Sequence, residues 1–232
     1  MYLGVVPARG GSQGIPRKSI APCAGQPLLA WTAAAAQACP RLSRTVLSTD
    51  DAGIAEVARH CGLEAPFLRP VELAGADTPM VPVLLHALAW AESNGFAPRA
   101  IVLLQPTSPL RQAADITAAI DRFEAAGADT AVTVVEVPHQ YNPVSVLRMR
   151  DDGILDRFLP GDGPLLLRRQ DKPAVWARNG PAVVVVSTEQ LRRGSLYGGR
   201  TVGVPMRHED SLDIDNPADL AAAEAELLRR LA

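Results

Sequence analysis

Short apolar runs alternate along the chain with amphipathic stretches. The runs Tyr2–Val6, Thr45–Ser48, Ala100–Leu104, Thr130–Val137, Ala182–Ser187 and Thr201–Val204 read as strands. Two of them, AIVLL and AVVVV, are apolar at every position, the pattern of a strand covered on both faces as in a parallel sheet. Between the runs, Pro27–Ala38 is alanine-rich, and Ile54, Val57, Ala58 and Cys61 fall on one face of a helix; Val81–Glu92 and Ala113–Ala126 show the same period. The last segment opens with Asn216 as a helix N-cap, Pro217 at the first helical position and Asp219 two residues on, then carries Leu220, Ala223, Leu227 and Leu231 as an apolar stripe. Strand–helix alternation of this kind predicts an α/β fold with a doubly wound, mostly parallel sheet. Ligands of such sheets bind beyond the carboxyl ends of the strands.

One stretch breaks the rhythm. Residues 138–180 are rich in Pro, Gly, Arg and Asp, lack a clean period, and hold Tyr141, Asn142, Pro143, Leu165, Leu166, Leu167 and Trp176. The expectation is a single domain over residues 1–232 from which 138–180 departs as an inserted segment that helps dimerise the protein and covers its active site. The alternative is a loose surface insertion, against which its apolar residues count.

Composition narrows the function. Apolar residues make up 47% of the 232-residue chain, enough for a sizeable core, and aromatic residues only 4%, so Ala, Val, Leu and Ile build it. With 23 basic against 25 acidic residues, the net charge of −2 offers no broad basic face for nucleic acid. Cys23, Cys39 and Cys61 are odd in number and widely spaced, which indicates neither a disulfide framework nor a zinc site and fits a reducing, cytoplasmic compartment. The apolar run before Arg9 is too short for a signal sequence, and no run approaches the ~18 residues of a membrane span.

The candidate chemistry sits after the first strand. Residues 4–20 read GVVPARGGSQGIPRKSI: glycines that let backbone N–H groups approach a ligand, with Arg9, Arg17 and Lys18 as cations suited to a polyphosphate. The loop is not a Walker A motif, since Arg17 rather than Gly precedes Lys18-Ser19. It is not a dinucleotide fingerprint either, since Pro16 and Pro22 interrupt any helix start. The alternative is a glycine-rich surface turn with solvated basic residues. Near the other end, Ser211-Leu212-Asp213-Ile214-Asp215-Asn216 puts Asp213 and Asp215 on one face of an extended segment and Ile214 on the other. Two such carboxylates suit Mg²⁺ completed by phosphate oxygens; the alternative is that Asp215 caps the helix and Asp213 is solvated.

Between these lies LLQPTSPLR, residues 103–111, a stiff loop after a buried strand in which Gln105, Thr107, Ser108 and Arg111 offer donors to a carboxylate or to sugar hydroxyls. Asp50 ends a strand, while Asp51 reads as the N-cap of the next helix. Arg69 is placed to reach a base or a phosphate, or is a surface arginine. Asn179-Gly180 reads as a tight turn. His139 and His208 pair with no nucleophile in sequence and receive no catalytic role.

In order along the chain, ARGGSQGIPRKSI, LSTDD, FLRP, LLQPTSPLR, RNG and SLDIDNPADL resemble the acylneuraminate cytidylyltransferases, also called CMP-sialic acid synthetases. The resemblance covers essentially the whole chain, and the first loop and LLQPTSPLR are its most specific parts. It implies a nucleotide-diphospho-sugar-transferase-like fold and a homodimer. It also implies a reaction: the anomeric hydroxyl of a nonulosonic (sialic-type) acid attacks the α-phosphate of CTP, pyrophosphate leaves, and a CMP-sugar forms for polysaccharide biosynthesis. Under it Arg9, Ser12 and Lys18 bind the triphosphate, Arg69 the nucleotide and Gln105 the sugar acid. Ala8, Gly10, Gly11, Ser19 and Asn179 contact substrate, and Asp213 and Asp215 hold Mg²⁺, one of them helping to deprotonate the sugar hydroxyl. Arg9, Lys18 and Asp215 form the catalytic set. A cytidylyltransferase for an eight-carbon Kdo-type acid and a non-catalytic nucleotide-binding protein are the competing readings. The chain departs from the family pattern at Ser19, where Asn is common, at Asp77-Thr78-Pro79-Met80, at Pro181, and at Val144-Ser145-Val146-Leu147, where a sugar-binding Lys is often found.

Overall fold

The computed structural model describes residues 1–12, 14–159, 166 and 168–232; Leu165 and Leu167 of the irregular stretch lie outside the described residues. Strand β1 (Tyr2–Pro7) is followed by the short pair β2 (Pro22–Cys23) and β3 (Gln26–Pro27), helix α1 (Leu28–Gln37), β4 (Arg44–Ser48), α2 (Ala52–His60) and α3 (Met80–Ser93). Then come β5 (Ala100–Leu104), α4 (Ala113–Ala126), β6 (Thr130–Glu136), the hairpin β7 (Leu147–Met149) and β8 (Leu155–Arg157), and β9 (Trp176–Arg178). The chain closes with β10 (Val183–Ser187), α5 (Thr188–Arg192), β11 (Thr201–Pro205) and α6 (Pro217–Leu231).

The main sheet runs β11-β6-β10-β5-β1-β4, with β9 attached to β6. Strands β4, β1, β5, β6 and β11 point one way, so the sheet is mostly parallel, while β10 is antiparallel to both β5 and β6. Val183–Val186 are fully buried nonetheless. Burial on both faces therefore reports the layers covering a strand and not its direction. The strand's two faces feed two cores. Val183 and Val185 pack with Leu29 and Ala33 of α1, Ile54 of α2 and Ile120 and Phe123 of α4. Val184 and Val186 pack with Leu84 and Leu88 of α3 and Leu191 of α5. A third cluster joins Ala223 and Leu227 of α6 to Ile15, Leu28, Leu110 and Ile214.

The helix ends follow their local chemistry. Asp51 caps α2 by accepting from the Ile54 N–H at 2.9 Å. Asn216 and Asp219 form a reciprocal capping box on α6, with Pro217 at the first position. Gln112 and Asp115 do the same for α4, which ends on Gly127 in the left-handed conformation.

Strands β9 and β10 are two halves of one ribbon. Both run antiparallel to β6 along the same edge, with Arg178 opposite Val134 and Val184 opposite Val132. Residues 179–183 thus stand opposite Thr133 alone, a bulge of four extra residues. The Thr133 hydroxyl accepts from the Val183 N–H at 3.0 Å, so its side chain bridges the break in the ladder. Residues 138–175 join the end of β6 to β9, and among the described residues β7 and β8 pair only with each other.

At the opposite end of the sheet, the Tyr2 hydroxyl donates to Glu124 Oε1 at 2.6 Å. Burial first, and then this bond, push the phenol up to about 12. An acid raised from its ordinary value of 10.0 resists ionisation in the fold, so its contribution to stability is full below pH 10.0 and is lost as pH rises towards about 12. A spectrophotometric titration should show one phenolate appearing near pH 12 that Tyr2→Phe removes; a step that persists in that variant would contradict the assignment.

Candidate active site

The loops after β1 and β5 emerge at the carboxyl edge of the parallel strands, where, with residues 69–83 and Asp215, they line a cavity of about 480 Å³. Ala8, Arg9, Ser12, Gly14, Lys18, Ser19, Arg69, Gln105, Thr107 and Asp215 line it. The amino-terminal loop and the late aspartate segment meet here. Lys18 Nζ donates to the Ile214 carbonyl at 2.6 Å and stands 3.8 Å from Asp215 Oδ1. The approach is close enough to need a glycine: a Cβ on Gly14 would lie 2.5 Å from the Asp215 carbonyl oxygen.

Not every cation of the first loop faces the cavity. Arg17 adopts the left-handed conformation (φ 50°, ψ 40°), and its guanidinium pairs with Asp51 at 2.9 Å, so it braces the loop against α2 instead of serving a phosphate. Arg9 is half-buried and donates to the Gly75 carbonyl at 3.1 Å, both residues lining the cavity. The loop amides are also partly engaged. The Gly10 N–H donates to Asp50 Oδ1 at 3.0 Å, and the Ser12 N–H to the Gly10 carbonyl at 3.2 Å. Gly10 packs on Asp51, while a Cβ on Gly11 would meet nothing within 4 Å. Asp50 thereby acts as the loop's anchor. Ser19 is buried with its hydroxyl unpartnered and lies in the cavity wall.

The loop after β5 is built around Arg111. Its buried guanidinium donates to the Gln105 carbonyl (3.0 Å), the Ala182 carbonyl (2.8 Å) and the Thr32 hydroxyl (2.6 Å). Burial lowers its pKa to about 10. Arg111 therefore ties the loop to the bulge and to α1; it is not a ligand donor, contrary to the sequence expectation. Gln105 does line the cavity, and its amide donates to the Gly180 carbonyl at 2.9 Å. Asn179 sits behind the wall, buried, donating to the Ser211 hydroxyl at 3.0 Å, with its Oδ1 unpartnered. Arg69 lines the cavity, but its guanidinium is buried and donates to the Ser48 hydroxyl at 3.1 Å and to the Ser48 and Leu73 carbonyls. Burial depresses its pKa, with Asp50 opposing and Arg9 reinforcing the shift.

The aspartate pair has two unlike members. Asp215 is exposed. Asp213 lies against the bulge, where a Cβ on Gly180 (φ 93°) would come within 2.6 Å of its carboxylate, and its Oδ1 is buried without a hydrogen-bond partner. Burial raises the Asp213 pKa, the Thr107 hydroxyl and Lys18 pull it down, and Asp215 pushes it up. Two hard oxygen donors, one an unsatisfied buried carboxylate oxygen, are the donor set a divalent cation such as Mg²⁺ takes.

Sequence reasoning missed one wall of the cavity. Leu73, Gly75, Ala76, Thr78, Met80 and Val83, from the turn before α3 and its first residues, also line it. The only signal was the Gly-Ala-Asp-Thr-Pro stretch, which carries no charge pattern directed at a ligand.

The chain is similar to several known proteins. The "CMP-N,N'-diacetyllegionaminic acid synthase" of Legionella pneumophila is 28% identical over 228 residues, covering 96% of this chain and 94% of its own. The "N-acylneuraminate cytidylyltransferase" of Escherichia coli O18:K1:H7 is 28% identical over 222 residues, covering 95% of this chain, which spans only 51% of that protein. A solved structure of a CMP:2-keto-3-deoxy-manno-octonic acid synthetase complexed with CTP superposes with a TM-score of 0.72 at 15% identity over 99% of both chains, a likeness of fold. Among the described residues no helix is long and apolar enough to cross a membrane. Residues 3–231 match the family profile described as "Cytidylyltransferase", and the chain belongs to that family.

Proposed function

We propose that the chain transfers CMP from CTP to the anomeric hydroxyl of a nonulosonic, sialic-type acid with release of pyrophosphate. The observation that carries this reading is the convergence of Lys18 and Asp215, 3.8 Å apart and nearly two hundred positions separated in sequence, in one cavity of nucleotide size. The names of the relatives support the choice of sugar acid.

In this reading Arg9, Ser12 and Lys18 take the triphosphate, and Ala8, Gly10, Gly11, Ser19 and Arg69 form the nucleotide's surroundings. Gln105 faces the sugar acid, with Asn179 holding the wall behind it. The sugar's anomeric oxygen attacks the α-phosphorus, the bond to the bridging oxygen breaks, and that oxygen leaves with pyrophosphate. The hydroxyl proton passes to the aspartate pair. Asp213 and Asp215 would hold a magnesium ion. When bound, that ion would neutralise charge developing on the phosphate oxygens. Lys18 adds a fixed positive charge beside Asp215, and its bond to the Ile214 carbonyl keeps it aimed there.

Residues 1–232 act in this proposal as one nucleotidyltransferase unit, with 138–180 as the segment that meets a second copy. The β7–β8 hairpin gains no support from the main sheet, and a lone hairpin is marginal in water. Met149, Leu155, Phe158 and Trp176 in this region are half or more exposed, the surface expected of a homodimer contact. A cytoplasmic location fits the three free cysteines.

The test is pyrophosphate release from CTP and magnesium across a panel of eight- and nine-carbon 2-keto sugar acids, with UTP and ATP in parallel. Release with CTP and a nine-carbon acid is expected. Release only with an eight-carbon acid would replace the sugar assignment, and no release with any acid would refute the transferase reading.

A further inference from the structure

The segment that bears Asp213 and Asp215 has no secondary structure of its own, yet its two carboxylates must be held in place. Its far end is fixed by the capping box of Asn216 at the start of α6. Its near end carries Asp210, a buried carboxylate gripped from two sides. Arg207 Nε donates to Asp210 Oδ2 at 2.8 Å, and Arg230, in the last turn of α6, brings a guanidinium nitrogen to 2.8 Å from Oδ1. The N–H directions miss Oδ1, so this second contact is an ion pair and not an aligned hydrogen bond. Arg230 also donates to the Glu209 carbonyl at 3.1 Å.

The two attachment points lie at opposite ends of one helix. The fourteen steps from Asn216 to Arg230 span about 21 Å of helix. The six steps from Asp210 back to Asn216 reach about 20 Å only when nearly fully extended. With the Arg230 side chain completing the reach, the segment runs alongside α6 from its last turn back to its first. Leu212 and Ile214 pack into the α6 cluster, while Asp213 lies against Gly180 of the bulge and Asp215 lines the cavity. The Ile214 N–H, donating to the Thr107 carbonyl at 2.9 Å, sits at mid-span.

We propose that Arg230 and Asp210 are positioning residues whose ion pair anchors the near end of the Asp213–Asp215 strap to α6 and so holds its two carboxylates in place. Neither residue lines that cavity. The proposal deepens the transferase reading, and rests on it for the metal role of the strap.

The test uses Arg230→Met and Asp210→Asn, with Arg230→Lys as the conservative rescue. Arg229→Met is the control, since Arg229 shares Glu226 with Arg230 but, among the described residues, does not pair with Asp210. Amide exchange in the metal-free protein should be about tenfold or more faster at Ile214 in the first two variants while Val102 and Val185 in the sheet keep their rates. The same variants should raise the magnesium concentration for half-maximal turnover several-fold with the KM for CTP unchanged. The lysine variant should recover much of both, and the control should match the parent. Unchanged exchange at Ile214, or equal acceleration at Val102 and Val185, would overturn the proposal. A parent protein without magnesium-dependent turnover would refute the transferase reading instead, and Ile214 exchange would still judge the strap.

Discussion

Asp215→Ala is expected to abolish turnover while leaving the chain folded. The side chain is 82% exposed, and its ion pair with Lys18 at 3.8 Å is of the kind that contributes about 0–1 kcal/mol, so its removal hardly touches stability. The backbone stays in place, because the Asp215 N–H donates to Asp219 Oδ2 at 2.9 Å whatever side chain residue 215 carries. On the proposed reading what disappears is a carboxylate that would hold the magnesium ion, and losing one such fixed electrostatic group lowers kcat by about a hundred- to a thousandfold. Pyrophosphate release measured beside a thermal melt separates the two effects. A variant that turns over at the parent's rate would strip Asp215 of its role, and one that melts far below the parent would show that the residue is structural.

The second large effect is expected from Gly14→Ala, a substitution of a single methyl group. Its Cβ would stand 2.5 Å from the Asp215 carbonyl oxygen, a backbone atom that no rotamer change can move aside. The amino-terminal loop and the strap must then separate by about an ångström, and overpacking of this kind destabilises by about 1–3 kcal/mol. Since Lys18 reaches the Ile214 carbonyl through the same contact, CTP affinity should fall along with turnover. Gly11→Ala is the matched control, because its Cβ would meet nothing within 4 Å. Calorimetric CTP binding by the two variants decides the matter; equal affinities would mean that the loop and the strap do not act as one site.

Much of this was readable in the sequence, for identifiable reasons. Strands such as Ala100–Leu104 and helices such as Ala113–Ala126 carry their period in consecutive residues, so local pattern suffices. The cap of α6 was legible because Asn216, Pro217 and Asp219 act within one turn. The direction of β10 was hidden, since an all-valine run looks alike whichever way its neighbours point. Strand β9 and the bulge were hidden for a related reason: Trp176–Arg178 is a strand only because β6 is there to pair with it. Among the site residues, Lys18 and Asp215 were found because charge and glycine cluster around them. Arg17 and Arg111 were misread because an arginine's sequence neighbours do not say which carboxylate or carbonyl it meets in space. Arg111 spends its donors on the Ala182 and Gln105 carbonyls and the Thr32 hydroxyl, and those partners come from three separate parts of the chain.

The four-residue interruption between β9 and β10 separates what must stay constant from what is free to vary. Inward of it, β10 is locked in register by β5 and β6. Outward of it, β9 holds only the last residues of β6, and everything beyond can be lengthened, trimmed or resculpted without shifting a single pairing of the inner sheet. The outer segment can therefore change in length and sequence between relatives while the inner sheet, and the cavity residues it carries, keep their places.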